Sequence, residues 1–370
     1  MNIPFVDLKL QYRKISEEVK SSINSVMESA DFILGQELEK FEIEYANYCN
    51  TKYAVGVDNG TSALELALRA FNIGTGDEVI TAANTFTATA SAIVLVGAKP
   101  VFVDIEPKTY GIGPGNIEKA INSRTRAIIP VHLYGHSADM DPILLIAKKY
   151  NLIVIEDACQ AHGALYKGRK VGSISHVGCF SFYPGKNLGA YGDGGMLVTN
   201  DYNIADQARM LRNYGQKQKY VHQIVGFNRR LDTMQAAILR IKLKHLDSWN
   251  SARRNHARKY SEYLPAENII LPIEEKNANH VFHLYVIRSE ERNDLQSYLK
   301  SKGINTGIHY PVPIHLQQAY DYLGYSKGDF PLSEKIAEQI LSLPMFPELT
   351  EDQINYVINT IRKFFGKNPI

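Results

Sequence analysis

The chain has 370 residues, 45% of them hydrophobic and 22% charged, with a formal net charge of +2. That length supplies two or three domains and a sizeable core, while near-neutral charge leaves no electrostatic footprint for nucleic acid or an anionic membrane. Three scattered cysteines, Cys49, Cys159 and Cys179, fit neither a disulfide framework nor a zinc-ligand spacing, and no apolar run has signal-peptide or membrane-spanning character, so a reducing cytoplasmic setting is expected.

From residue 53 to about 200, short valine- and isoleucine-rich runs alternate with helical patterns. "YAVGV" feeds a helix through Asn59-Gly60-Thr61-Ser62, with Leu64, Ala67, Leu68 and Phe71 at helical spacing. "EVITA", a helical "TATASAIVLVG", "PVFVDI", "RAIIPVHLYG", a helical "MDPILLIAKKY", "LIVIEDA", "VGCFSF" and "GMLVTN" continue the alternation. Runs apolar on both faces suit a largely parallel central sheet covered by helices, an α/β domain. After Asp232, a residue suited to capping, the chain predicts one long helix or a bent pair, with no proline before Pro265. Strand and helix patterns then alternate around a Pro-His-Tyr-rich loop near residue 310. The expected division is an N-terminal region with a large α/β domain over residues 1–249 and a smaller C-terminal α+β domain over residues 250–370.

Lysine and glycine in "SFYPGKNLGAYGDGG" invite a phosphate-loop reading. That motif needs glycine five residues before the Gly-Lys pair and Ser or Thr after it, where this chain has Phe180 and Asn187. "GIGPGN" likewise lacks the third glycine of a dinucleotide fingerprint.

Asp157 closes a strand of the predicted sheet, where ligands of open parallel sheets collect. Lys186 and Ser181 belong to a second strand and its following loop. A partly desolvated lysine amine is a nucleophile able to form a Schiff base. Pyridoxal 5'-phosphate (PLP) needs such a lysine, an aspartate for its pyridine nitrogen and a cradle for its phosphate. The helix start at Gly60-Thr61-Ser62 offers that cradle through free amides, hydroxyls and the helix dipole. Taken singly, the same residues are also an ordinary turn, Phe86 an ordinary core aromatic, and Asp157 an ordinary helix cap. His132 and His162 are expected to make structural hydrogen bonds. His309 and Tyr310 in "GIHYPVPIH" are either a rigid loop or one wall of a site.

With these pieces in order, the chain resembles the PLP-dependent sugar aminotransferases of the DegT/StrS family along nearly its whole length. The motifs "NGTSAL", "ANTFTAT", "VFVDIEP", "IEDACQAHGA", "SFYPGKNLGAYGDGG", "GFNRRLDTMQAAIL" and "HYPVPIH" carry the resemblance. It implies the fold-type-I aminotransferase architecture, with Lys186 as the lysine that bonds the cofactor and Asp157 as the acid on its ring nitrogen. It further implies Gln160 at the phenolic oxygen, Phe86 on the ring face, and Gly60, Thr61, Ser62 and Ser181 on the phosphate. Asn228 would reach the phosphate from a second subunit, making the enzyme a homodimer with shared sites. Lysine rather than histidine at position 186 points away from the dehydratase branch.

The segment around Lys186 is most similar to members that aminate carbon 3 of a dTDP-linked 3-keto-6-deoxyhexose, with L-glutamate as donor. In those members the residues matching Tyr183, His309 and Tyr310 line the sugar pocket. Amination at carbon 4, and a non-catalytic PLP-binding regulator, are the alternatives.

Overall fold

A computed structural model describes residues 1–370. Two helices, α1 (Leu8–Ser29) and α2 (Gln36–Cys49), come first. They are followed by β1 (Tyr53–Val57), α3 (Gly60–Ala70), β2 (Glu78–Ala82), α4 (Thr87–Leu95), β3 (Lys99–Val103), α5 (Pro114–Ala120), β4 (Thr125–Ile129), α6 (Met140–Tyr150) and β5 (Ile153–Asp157). A short hairpin, β6 (Leu165–Tyr166) and β7 (Arg169–Lys170), leads to β8 (Val177–Ser181), β9 (Gly195–Thr199) and α7 (Tyr202–Arg212). A second hairpin, β10 (Gln216–Gln218) and β11 (Val221–His222), precedes α8 (Thr233–Leu243) and α9 (Leu246–Tyr263). The remainder comprises β12 (Ala278–Asn279), β13 (Tyr285–Arg288), α10 (Arg292–Ser301), α11 (Pro331–Gln339), β14 (Ile340–Leu343) and α12 (Glu351–Phe364).

Seven strands form the central sheet in the order β1-β9-β8-β5-β4-β2-β3. Only β9 opposes its neighbours; the other pairings are parallel. The carboxyl ends of β1, β5 and β8 therefore lie along one edge. Because side chains alternate along a strand, Val154 enters the apolar layer beneath α2, α6 and α8, whereas Ile155 enters the layer beneath α3 and α7. Burial on both faces explains why the strands read as unbroken apolar runs.

The same alternation sends Glu156 and Asp157 to opposite faces. Glu156 is fully buried and accepts from the amides of Gly172, Ile174 and Ser175 at 2.6, 2.9 and 2.8 Å, with His132 Nε2 at 3.0 Å. Burial alone would raise this carboxyl, but His132 and the Gly172 and Ser175 amides outweigh it and hold it below its ordinary value.

The stretch after Asp232 takes the bent form, breaking between α8 and α9 at Lys244 and His245. Asp232 occupies the cap position, yet its side chain accepts no capping hydrogen bond. The antiparallel pair β13 and β14 anchors a further apolar cluster that includes Leu295, Leu299, Val357 and Ile361. Ile3 joins it from the other end of the chain through a parallel bridge to Ile304. No helix is long and apolar enough to cross a membrane.

Gly178 on β8 packs directly on the turn that Glu156 holds. A Cβ there would stand 2.3 Å from the Gly172 Cα, and Gly172 itself sits at φ +87°. Gly178→Ala should therefore destabilise the protein by about 1–3 kcal/mol through overpacking, read as a lowered thermal unfolding midpoint. An unchanged midpoint would show that the turn yields freely.

Candidate active site

A cavity of about 800 Å³ opens at the carboxyl ends of β1, β5 and β8. It is lined by Gly60, Thr61, Ser62, Phe86, Asp157, Gln160, Ser181, Tyr183, Lys186, His309 and Tyr310. Asn228 is not among its lining residues; it is exposed and bridges to Asn213.

At one end of the cavity, α3 begins immediately after β1. Asn59 Oδ1 accepts from the Ser62 amide at 2.9 Å and the Asn59 carbonyl accepts from Ala63 at 3.1 Å. The first amides of a helix have no carbonyl within the helix to pair with, so Gly60 and Thr61 present theirs to the cavity end. Gly60 is required there: a Cβ would lie 2.7 Å from Ser181 Cβ and 2.9 Å from Cys159 Sγ. Donors, two side-chain hydroxyls and the positive end of a helix dipole fit a phosphate.

Asp157 is 5% exposed. Thr89 Oγ1 donates to its Oδ2 at 2.8 Å and the Cys159 amide to its Oδ1 at 3.2 Å, so both oxygens are held by donors. Gln160 Oε1 accepts from the Tyr134 amide at 2.7 Å, which leaves Nε2 to donate to Tyr310 Oη at 3.2 Å. Phe86 is 48% exposed, so it is not a core aromatic; its ring lies 5.3 Å from that of Tyr310. His309 stacks on Phe5, its Nδ1 lies 2.8 Å from Ser342 Oγ, and its carbonyl accepts from Tyr134 Oη.

Lys186 opens onto the cavity and so keeps some exposure, but protein surrounds it on the scale that governs desolvation. Burial depresses its amine below the ordinary lysine value, against opposing pulls from Cys159 and Asp157. Burial, then the Lys186 charge, pushes His309 down to about 4. The site thus combines a lysine amine depressed by burial, a hydrogen-bonded carboxylate and an anion cradle. These groups fit the aldehyde, the ring nitrogen and the phosphate of PLP.

One expectation fails. His132 makes its structural bonds, to Glu156 and from the Ala138 amide at 3.0 Å. His162 makes none of good geometry from either ring nitrogen, although the Ser181 backbone lies close enough to oppose its downward shift. Its ring lies between Phe180 and Phe182, and burial followed by the Lys186 charge pushes it down to about 3. A neutral imidazole among aromatics behaves here as an apolar filler.

Sequence reasoning also missed Thr89, although it sits in the first turn of the helix that Phe86 caps. It missed the clamp on the Lys186 loop as well. Gln235 Oε1 accepts from the Tyr191 amide at 2.9 Å, Asn250 Oδ1 accepts from Asn187 Nδ2 at 2.8 Å, and Lys242 Nζ donates to the Gly189 carbonyl. All three clamping side chains come from α8 and α9.

Residues 13–362 match the DegT/DnrJ/EryC1/StrS aminotransferase family. The chain is 49% identical, over 99% of each chain, to the pleiotropic regulatory protein of Geobacillus stearothermophilus. It is 48% identical to the dTDP-3-amino-3,6-dideoxy-alpha-D-galactopyranose transaminase of Aneurinibacillus thermoaerophilus, over 98% of this chain and 99% of the relative. Among solved structures, DesV of S. venezuelae in complex with a ketimine intermediate superposes with a TM-score of 0.97 at 47% identity, covering 99% of both chains.

Lys242 is 1% exposed, and burial pushes its amine down to about 8, partly offset by Glu348. Between that value and the ordinary 10.5 the unfolded chain binds more protons than the folded one, so stability gains with rising pH across this window. The stability of the native protein relative to Lys242→Met should rise between pH 8 and 10.5, by on the order of 3 kcal/mol. Urea unfolding of both proteins across that range checks it; a pH-independent difference contradicts the buried-amine assignment.

Proposed function

The chain belongs to the DegT/DnrJ/EryC1/StrS aminotransferase family, and on that premise we propose that it transfers the amino group of L-glutamate to carbon 3 of a dTDP-linked 3-keto-6-deoxyhexose. The product is the 3-amino-3,6-dideoxyhexose. The observation that carries the reading is the joint burial of the Lys186 amine and the Asp157 carboxylate in one cavity, with a helix N-terminus at its end. The name of the Aneurinibacillus relative supports the nucleotide and the position aminated.

PLP, when bound, supplies an electron sink for the charge left as the amino-bearing carbon loses its proton. Lys186 would be its covalent anchor; once released, Nζ would carry the proton from the amino-bearing carbon of the donor to the cofactor carbon within the first half of the reaction, and in the second half carry it the opposite way, to carbon 3 of the sugar. Depression of the amine by burial favours this role, because only the neutral form accepts a proton. Asp157 would keep a proton on the ring nitrogen, and Thr89 and the Cys159 amide fix the carboxylate for it. Gln160 would meet the phenolic oxygen with its amide, and Phe86 would lie on the ring face. Gly60, Thr61, Ser62 and Ser181 bind the phosphate. Tyr183, His309 and Tyr310 orient the sugar.

Asn228 completes the phosphate site of a second subunit in a cytoplasmic homodimer. Its exposed position outside the cavity of its own chain supports that arrangement. The name of the Geobacillus relative favours a second reading, a non-catalytic regulator. Retention of both Lys186 and Asp157 speaks against it.

Incubation with L-glutamate and either carbon-4 epimer of the dTDP-3-keto-6-deoxyhexose should yield a product whose NMR spectrum places nitrogen on carbon 3, with ping-pong kinetics. Lys186→Ala should lower kcat by at least about 10²–10⁴-fold, the range of a lost general acid–base. Nitrogen on carbon 4, or turnover retained by Lys186→Ala, would overturn the assignment.

A further inference from the structure

Asn187, the residue after Lys186, is 2% exposed, and its amide orientation is settled by its neighbours. Asn250 Nδ2 donates to the His162 carbonyl at 2.8 Å, so Asn250 Oδ1 is the atom that meets Asn187 Nδ2, at 2.8 Å. The same Nδ2 donates to the Val281 carbonyl at 3.1 Å. Both ends of this chain are backbone carbonyls, which only accept, so neither amide can be flipped without losing bonds.

Asn187 Oδ1 is thereby left facing His283 Nδ1 at 3.2 Å. An amide oxygen only accepts, so the imidazole proton must sit on Nδ1. The lone pair of the neutral ring is then on Nε2, the nitrogen for which the protein provides no partner. Burial first, then the charges of Lys186 and Arg253, hold the ring well below its ordinary value and keep it neutral. His283 lines the same cavity as Lys186.

We propose that His283 is a specificity residue of this cavity: the Asn250–Asn187 amide relay fixes its tautomer so that Nε2 accepts a hydrogen bond from a hydroxyl of the sugar. A neutral acceptor cannot pair with the carboxylates of glutamate, which only accept, and the amino group of glutamate is engaged at the cofactor, whereas a sugar brings several free hydroxyl donors. Nε2 is therefore a sugar-side contact. The inference rests on the sugar aminotransferase reading of the cavity and names one of its selectivity elements.

Two readouts test it on the PLP-loaded enzyme. The nitrogen NMR spectrum of histidine-labelled protein, with His283 signals identified by their loss in His283→Phe, should show protonated Nδ1 and bare Nε2. A bare Nδ1 would overturn the inference. By calorimetry, His283→Phe should bind the dTDP-linked 3-amino-3,6-dideoxyhexose about tenfold more weakly, the size of one lost hydrogen bond. Affinity for dTDP alone should not change. His283→Gln, whose side-chain oxygen can still accept, should recover most of the loss and covers the case in which the phenylalanine variant misfolds. Unchanged sugar affinity in both variants would overturn the inference, whereas failure of the aminotransferase reading would appear separately, as a wild-type enzyme that does not react with glutamate.

Discussion

Two consecutive carboxylates end β5, and the pleat sends them to opposite faces of the sheet. Neither can be buried without donors. Glu156 solves this by gathering the 172–175 turn and His132 onto one face, and Asp157 by taking Thr89 from α4 and the Cys159 amide on the other. The first set fixes the turn on which β8 packs; the second fixes the carboxylate in the cavity. Scaffold and site therefore share one strand end, and a shift of that strand would disturb both.

Lys186 reaches the cavity from a loop that is held rather than free. Its amide donates to the Tyr183 carbonyl at 2.8 Å, and Gly189 packs so closely on Pro184 that a Cβ would lie 2.2 Å from the Pro184 carbonyl oxygen. Gln235, Lys242 and Asn250 then grip the loop from α8 and α9. Preorganisation of this kind removes ordering entropy from the reaction itself. It also explains why Lys242 and Asn250 are buried in a helical spine whose packing alone would favour apolar side chains: each is matched to a polar group of the loop.

Much of this was legible in the chain. Strand runs apolar on both faces revealed the sheet, and acids, lysine and glycines at strand ends located the cavity, because these signals are local. What escaped was long-range. Asn187 meets His283 across 96 positions and Asn250 across 63, and no periodicity reports such pairings. His162 looked polar by type but lies between Phe180 and Phe182, an environment set by β8 and the loop after it. Asp232 has the composition of a cap without the bond; the chain pairing around it is long-range, the Thr233 amide donating to the Phe32 carbonyl at 3.0 Å. α1 and α2 contribute cover rather than chemistry, and no residue of 1–52 was singled out for the site, although Phe5 lines the cavity and stacks on His309.

The central claim is that one amine, Lys186 Nζ, bonds the cofactor covalently. Borohydride reduction of the PLP-loaded protein, followed by proteolysis and mass spectrometry, tests it most directly. A pyridoxyl mass addition confined to Lys186 is the predicted result. An addition on another lysine, or none in a protein that binds PLP, would contradict it.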